Sequence, residues 1–471
     1  MRGGAKSFAP PRRFNTFVCT YVRANAFERN DISAAYISYH LYLTKTAPLK
    51  CRLVTSTLDL KRRLFYNIIV ELYPMRSIIC RLLYYNKVWS AGLENDMFKN
   101  DLTTNIAPYE GEVRIPSGCA VSAIIDRSGK KMTGENVIRS IATMHDRSNG
   151  LGGGFAGYGI YPDYKEYYAF HLFYNDFQCK KETEDFLITH FEIVYSSEMK
   201  TRKTRGVTNE PIIYRYFLSP LSKRLANSLM DEEQYVVKCV NIINAQIKGA
   251  FVFSSGKDMG IFKGVGYPED IGRFYLLDEE YEGYAWTSHG RYPTNTPGWW
   301  GGAHPFGLLD YSVVHNGEIS SYDANRRYIE MFGYKCSLQT DTEVITYIID
   351  YLIRVKKLTL QEIAKVISAS FWSTIEEKSE EDRRQEIFLR KAFPSLLING
   401  PFSIIFGFTG GIMALNDRLK LRSMVCAEKG DLAFVSSEEC GIRVIAPELD
   451  KIYSPAGGQP VIYTLKEGGA L

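Results

Sequence analysis

Ile115-Pro-Ser-Gly-Cys-Ala-Val-Ser-Ala-Ile-Ile-Asp126 sets a cysteine at the border between an extended lead-in and an apolar run. Pro116, Ser117 and Gly118, with Pro108 before them, predict an exposed, extended segment. Residues 119–126 are short and mostly apolar, which predicts a buried strand, and Arg127-Ser-Gly-Lys130 predicts the turn that ends it. A lone cysteine on a buried strand is more often a small core residue than a nucleophile. The role of Cys119 therefore depends on what the rest of the chain brings to it.

Working outward, Thr133 and Asn136 are placed to cap a helix over 137–144. Residues 167–174, 186–196, 236–240 and 249–253 read as strands, although 242–250 could equally begin as helix. Residues 264–268 read as a loop. Val344, Ile345, Ile348, Ile349 and Leu352 recur at helical spacing, predicting a helix over 341–355 with Thr340 or Asp341 as its cap. Residues 376–390 read as a charged, solvent-facing helix, and strands return from Phe402 with turns at Gly410-Gly411 and Asn416-Asp417. Strands in blocks with helices between them predict an α+β layered fold.

Bulk composition excludes several classes. The 471 residues are 45% hydrophobic and 23% charged, as in globular proteins, with room for two or three domains. No apolar run reaches the roughly 18 residues of a membrane helix, and the first ten residues lack the core of a secretory signal. Nine scattered cysteines without a CxxC pair fit neither a disulfide framework nor an iron–sulfur or zinc-ribbon site, and point to a reducing cytoplasm. Residues 1–96 hold 15 Lys/Arg against 6 Asp/Glu, a surplus of nine, so with +4 overall the remainder carries −5. The basic charge belongs to the front of the chain, and no nucleic-acid surface is implied for the body. That front reads as a basic extension of 1–96. It is either an over-long start ahead of Met97, a transit segment or a small docking domain, with 97–118 as lead-in or propeptide and 119–471 as the main domain.

Three clusters carry chemistry: Ile115-Pro-Ser-Gly-Cys119; His289-Gly-Arg-Tyr-Pro-Thr-Asn-Thr296 with Ala303-His-Pro305; and Val313-Val-His-Asn-Gly-Glu-Ile319 with Thr340-Asp-Thr-Glu-Val344. In this order, over about residues 115–465, they resemble the class II glutamine amidotransferase domain of the N-terminal-nucleophile hydrolases. Arg147-Ser-Asn-Gly-Leu-Gly-Gly-Gly154 and His-Asn-Gly-Glu-Ile are similar to the stand-alone amidotransferase of glutamate synthase. The resemblance implies a four-layer αββα sandwich, two stacked antiparallel sheets between helical layers.

It also implies roles. Amide hydrolysis needs a nucleophile, a base and a home for the oxyanion. If Cys119 becomes the first residue, its own α-amine, with a pKa of roughly 7.7–8.0, can be the base. The thiol attacks the glutamine amide, ammonia leaves, and water resolves the thioester. The Gly118–Cys119 bond must be cleaved first, because an amide nitrogen is no base. Arg291 is expected to clamp the glutamine α-carboxylate and Asp341 to hold its α-ammonium. Asn316, through its side-chain amide, and Gly317, through its backbone N–H, are expected to form the oxyanion hole, with Tyr292, Thr294 and Asn295 as secondary substrate contacts. Blander roles compete: a surface ion pair for Arg291, a helix cap for Asp341, a plain Asn-Gly hairpin turn for 316–317. His289, His304 and His315 have no helical metal-pair spacing, and no metal is expected. Gly152-Gly-Gly-Phe-Ala-Gly157 fits GxGxxG on paper but reads as a tight loop beside the site running into a strand, not as a dinucleotide fingerprint.

No flavin barrel, cysteine-rich cluster, sugar-isomerase or phosphoribosyl-transfer domain follows the motifs. The expectation is a glutaminase with no cofactor of its own, handing ammonia to a synthase subunit that carries FMN and iron–sulfur clusters, without nucleic-acid or membrane partners. Two alternatives stand beside it: the same glutaminase serving methylamine in an N-methylglutamate synthase, and a non-catalytic regulatory subunit that kept the fold.

Overall fold

The computed structural model describes residues 118–293 and 298–466, together with the strands Ile37–Leu41 and Leu49–Leu53. The chain divides into two units, Met1–Glu112 and Val113–Leu471. In the first, the two strands pair antiparallel, Ile37 opposite Leu53. The 61–73 segment, the 96/97 boundary and the lead-in to 117 lie outside the described residues.

The second unit is a mixed arrangement of helices and antiparallel sheets. A seven-stranded sheet runs in the order Met259–Gly264, Gly153–Tyr158, Ala285–Gly290, Ala120–Asp126, Leu432–Ser436, Val425–Lys429, Lys451–Tyr453. A five-stranded sheet runs Phe306–Leu308, Tyr311–Gly317, Phe402–Phe408, Gly411–Asn416, Val461–Thr464. The two meet face to face, the Ala120–Asp126 strand against Tyr311–Gly317 and Phe402–Phe408. Alternation along the strands makes this possible. Val314, Ile405 and Ala414 join Val121 and Ala123 in the core between the sheets. Their neighbours Val313, Ile404, Phe406 and Met413 turn the other way, into a second core with Ile345 and Ile348 of the helix Asp341–Asp350. The helices Glu135–Ala142 and Pro268–Phe274 cover the outer side of the larger sheet. A further four-stranded sheet, Phe191–Glu198, Ile212–Pro220, Tyr168–Tyr174 and Ala250–Ser254, was not separated from the others in the sequence.

Several local expectations are corrected. Residues 186–190 end a helix, Phe177–His190, before the strand Phe191–Glu198 begins. Residues 236–240 lie inside the helix Glu232–Gln246. In both places an aspartate sets the start. Asp176 accepts from the Cys179 N–H at 2.9 Å, and Asp231 from the Gln234 N–H at 2.7 Å. Caps of this kind, with burial of Val236, Val240 and Ile243 along one helical face, outweigh the strand preference of β-branched residues. The helix expected over 376–390 is two, Trp372–Glu376 and Glu380–Ala392, the second capped by Ser379. The helix Glu135–Ala142 has Gly134 at its cap position and no side-chain cap, so Thr133 and Asn136 do not play that part. The π-helical turn Tyr351–Val355 continues Asp341–Asp350, so 341–355 is helical throughout.

The glycine run at 152–157 is not a loop but leads into an interior strand, Gly153–Tyr158, paired on both sides. A Cβ at Gly154 would lie 2.3 Å from the His304 carbonyl oxygen, and one at Gly157 would lie 2.7 Å from the Trp286 ring. The glycines leave room for the His304 backbone and for the Trp286 ring of the neighbouring strand, which lie against this backbone. Among the described residues no helix is long and apolar enough to cross a membrane.

Candidate active site

Cys119 stands immediately before the central strand Ala120–Asp126, which is paired on both sides. Its thiol accepts a hydrogen bond from the Tyr292 backbone N–H at 3.3 Å. Arg147 wraps the Gly118–Cys119 linkage. Its carbonyl accepts from the Gly118 N–H at 3.1 Å, and its Nε donates to the Cys119 carbonyl at 3.0 Å. Glu438 holds the other side of the guanidinium, 2.6 Å from Nη1. Burial pushes the Cys119 thiol pKa up, against the Tyr292 N–H and the Arg291 charge, which lower it. The resting sulfur is therefore protonated and needs a base.

Cys119, Arg291, Tyr292, His315, Gly317 and Asp341 all line one cavity of about 610 Å³. Arg291 follows the strand Ala285–Gly290 and is buried, its N–H donating to the Gly152 carbonyl at 2.9 Å. Gly152 has φ +159°, and a Cβ there would come within 3.0 Å of Arg291 Cδ. Desolvation lowers the Arg291 pKa, while the neighbouring Cys119 and Asp341 raise it. A buried guanidinium at the wall of a cavity is suited to a carboxylate.

Asp341 opens the helix Asp341–Asp350. Thr340 occupies the cap position without a side-chain capping bond. Asp341 instead directs its oxygens at His315 Nδ1 (3.4 Å), Thr342 Oγ1 (3.2 Å) and the Ile319 N–H (3.4 Å). Burial alone would raise its pKa, but the His315 imidazole and these hydrogen bonds outweigh that and hold the carboxyl below its ordinary range. It is a fixed negative charge in the cavity wall.

Asn316 and Gly317 end the strand Tyr311–Gly317, opposite Ser403 and Phe402, so they form no hairpin turn. Asn316 is 1% exposed. Its Nδ2 donates to Ser437 Oγ at 3.4 Å, and that same hydroxyl accepts from the Val121 N–H at 3.0 Å. One serine thus ties Asn316 of one sheet to the cysteine strand of the other. Thr294 and Asn295 lie outside the described residues.

The histidines brace this junction. His289 Nε2 is 2.9 Å from the His315 carbonyl, and His304 Nδ1 is 3.1 Å from the same His289 nitrogen. Burial pushes the His289 pKa down to about 3 and that of His304 well below the ordinary histidine value, so both imidazoles are neutral. Two other buried groups fix the loops around the cavity. Lys263 Nζ donates to the Gly301 carbonyl at 2.9 Å, and Glu343 accepts from the backbone of Ser337 (3.2 Å) and Leu338 (3.0 Å). Ser437, Glu438, Lys263 and Glu343 carry no local sequence signal, since their partners lie far along the chain or in loops. In the sequence Arg147 marks only the start of a glycine-rich stretch.

The family model described as "Glutamine amidotransferases class-II" matches residues 174–347. An uncharacterized protein of Archaeoglobus fulgidus is 49% identical over 350 residues, 74% of this chain and 92% of its own length. The chain carries a class-II glutamine amidotransferase domain. The glutamine–fructose-6-phosphate aminotransferase of Vibrio vulnificus is 28% identical over 165 residues, 33% of this chain and 24% of that one. This amidotransferase therefore spans about a quarter of the Vibrio enzyme. A solved glutamine phosphoribosylpyrophosphate amidotransferase from B. subtilis overlays with a TM-score of 0.38 at 13% identity, covering 74% of this chain and 48% of that one. The activity of a class-II amidotransferase is hydrolysis of the glutamine amide with transfer of the ammonia. Arg291, Asp341 and Cys119 line the same cavity.

Proposed function

We propose that Cys119, freed by cleavage of the Gly118–Cys119 bond, is the N-terminal nucleophile of a glutaminase. In this reading 1–118 is absent from the working enzyme and 119–471 is the catalytic domain, a four-layer αββα sandwich. Arg291 clamps the glutamine α-carboxylate, Asp341 holds its α-ammonium, and the Asn316 amide with the Gly317 N–H receives the oxyanion. Tyr292, Thr294 and Asn295 complete the substrate pocket. The observation that supports this most is that Cys119, Arg291, Gly317 and Asp341, drawn from three separate sequence clusters, line one cavity. The cavity chemistry fits an α-amino acid: fixed charges of both signs recognise its two ends, and a thiol faces the side chain.

The ammonia goes to a second, cytoplasmic chain. The motif resemblance favours a synthase subunit with FMN and iron–sulfur clusters that makes glutamate. The test of the nucleophile is the intact mass of the mature protein with a glutaminase assay. A chain beginning at Cys119 that hydrolyses glutamine, and loses this in Cys119→Ala while staying folded, is the expected result. An active protein that retains Gly118 overturns the α-amine mechanism.

A further inference from the structure

Lys263 and Glu343 are ionisable side chains that the proposed mechanism does not use. Lys263, on the strand Met259–Gly264, is 0% exposed. Glu343, in the first turn of the helix Asp341–Asp350, is 2% exposed. Taking either group out of water is unfavourable unless its hydrogen bonds are made elsewhere. Both make them to loop backbone beside the cavity. Lys263 Nζ donates to the Gly301 carbonyl at 2.9 Å and lies 4.2 Å from the centroid of the Phe306 ring. One Glu343 oxygen accepts from the Ser337 N–H at 3.2 Å, and the other from the Leu338 N–H at 3.0 Å.

Each loop leads to one of the two charges in the cavity wall. Gly302 follows Gly301, and a Cβ on it would lie 3.4 Å from Arg291 Nη1, so this backbone packs against the guanidinium. Leu338 precedes Gln339, Thr340 and Asp341, which line the cavity together. Gln339 has φ +54°, a conformation that a non-glycine residue keeps only where its surroundings hold it. The paired bonds from Ser337 and Leu338 to Glu343 hold the residues just before it. Lys263 and Glu343 also face one small void of about 10 Å³, together with Phe306, Leu338 and Tyr347. Burial pushes the Lys263 pKa well down, with Arg291 acting the same way and Glu343 opposing. The two side chains therefore feel each other across the void.

We propose that Lys263 and Glu343 are paired positioning residues for glutamine binding. Lys263 sets the backbone behind Arg291, Glu343 sets the backbone leading into Asp341, and their shared void couples the two. The inference rests on the glutaminase reading above, in which Arg291 and Asp341 hold the α-carboxylate and the α-ammonium. Neither Lys263 nor Glu343 lines the catalytic cavity, so their loss acts on substrate affinity and not on the chemical step.

The experiment follows glutamate formation by the mature full chain over a range of glutamine concentrations, with thermal unfolding on the same preparations. Lys263→Met keeps the length of the side chain and removes its donor. Glu343→Gln keeps the shape and leaves one loop N–H without an acceptor. A lost hydrogen bond to a charged group shifts an equilibrium about 10-fold or more. Each single variant is expected to raise the glutamine KM about 10-fold, with kcat within about twofold of wild type. The double variant is expected to raise KM by less than the product of the two single effects, because residues that share a void couple. Should either variant not fold, Lys263→Arg or Glu343→Asp, which keep the charge and alter its reach, replaces it with the same expected rise in KM. A merely structural role lowers the number of active molecules, and with it the apparent kcat, but leaves KM where it was. That result, or an unchanged KM at full kcat, overturns the proposal. Single effects that simply multiply in the double variant overturn the coupling. Wild-type enzyme that forms no glutamate would instead sink the glutaminase reading, and this inference with it.

Discussion

Gly317→Ala tests the proposed oxyanion role of the strand end Asn316-Gly317. A Cβ at this position would lie 2.2 Å from the Pro401 carbonyl oxygen, 2.6 Å from His315 Nε2 and 2.8 Å from Phe402 Cα. Two of the three obstacles are backbone or lie directly on it, so no side-chain rotation relieves them. Ordinary contact asks for more than 3 Å, and the end of the Tyr311–Gly317 strand has to shift by about 1 Å. Overpacking of this kind costs roughly 1–3 kcal/mol of stability. The effect on rate is larger. A 1 Å misplacement of a catalytic group costs on the order of 100-fold, similar to removing one oxyanion donor. Steady-state glutaminase kinetics, with thermal unfolding on the same preparation, separate the two. The expected outcome is a folded protein whose kcat falls about 100-fold, with KM changed far less because Arg291 and Asp341 are untouched. A variant with wild-type kcat/KM would refute the placement of Gly317 at the reacting carbonyl.

Arg147→Lys removes the planar fork that joins the Cys119 carbonyl to Glu438. Charge-assisted hydrogen bonds of this type are worth about 1.5–3 kcal/mol, so kcat is expected to fall about 10- to 100-fold with little change in glutamine KM; equal activity would show that Arg147 does not position the nucleophile. Asp341→Asn removes the anion from the cavity wall and is expected to raise KM for glutamine by about 10-fold or more in initial-rate assays. Asp341 is a carboxyl held below its ordinary value, so the stability it contributes is complete above about pH 4 and is lost as the pH falls through its folded value. Acid unfolding of Asp341→Asn should therefore lack that part of the wild-type transition, and identical acid midpoints would count against the His315–Asp341 contact.

The site was legible in the sequence to the extent that its chemistry sits on strand ends. Cys119 precedes an apolar run, and His-Asn-Gly ends another, so burial and function share one local pattern. Asp341 was legible for a mixed reason: an acid at the start of a helix looks like a cap, yet here it faces His315 instead. The glycine run 152–157 misled because glycines weaken a strand locally. Their cause is the approach of the His304 carbonyl and the Trp286 ring, which no short window of sequence contains. Val236 and Val240 misled in the opposite direction, since β-branched residues favour strands until an upstream aspartate and a 3.6-residue burial period overrule them. Ser437 and Glu438 meet Val121 and Arg147 across about 300 residues, so only the folded chain brings them together.

The base is where geometry and magnitude decide between two mechanisms. His304 and His315 line the cavity with Cys119, which invites a thiol–imidazole pair. The Cys119 sulfur, however, meets the backbone of Tyr292, and the neutral His289 and His304 are engaged with each other and with the His315 carbonyl. Burial leaves His289 with a pKa of about 3 and pushes His304 well down as well. Burial of both partners makes moving a proton from the Cys119 thiol to the His304 imidazole unfavourable. Moving it to an α-amine near 7.8 costs only about 1 kcal/mol. In the proposed mechanism the Cys119 α-amine is the base, and His289 and His304 brace the strand that carries Asn316.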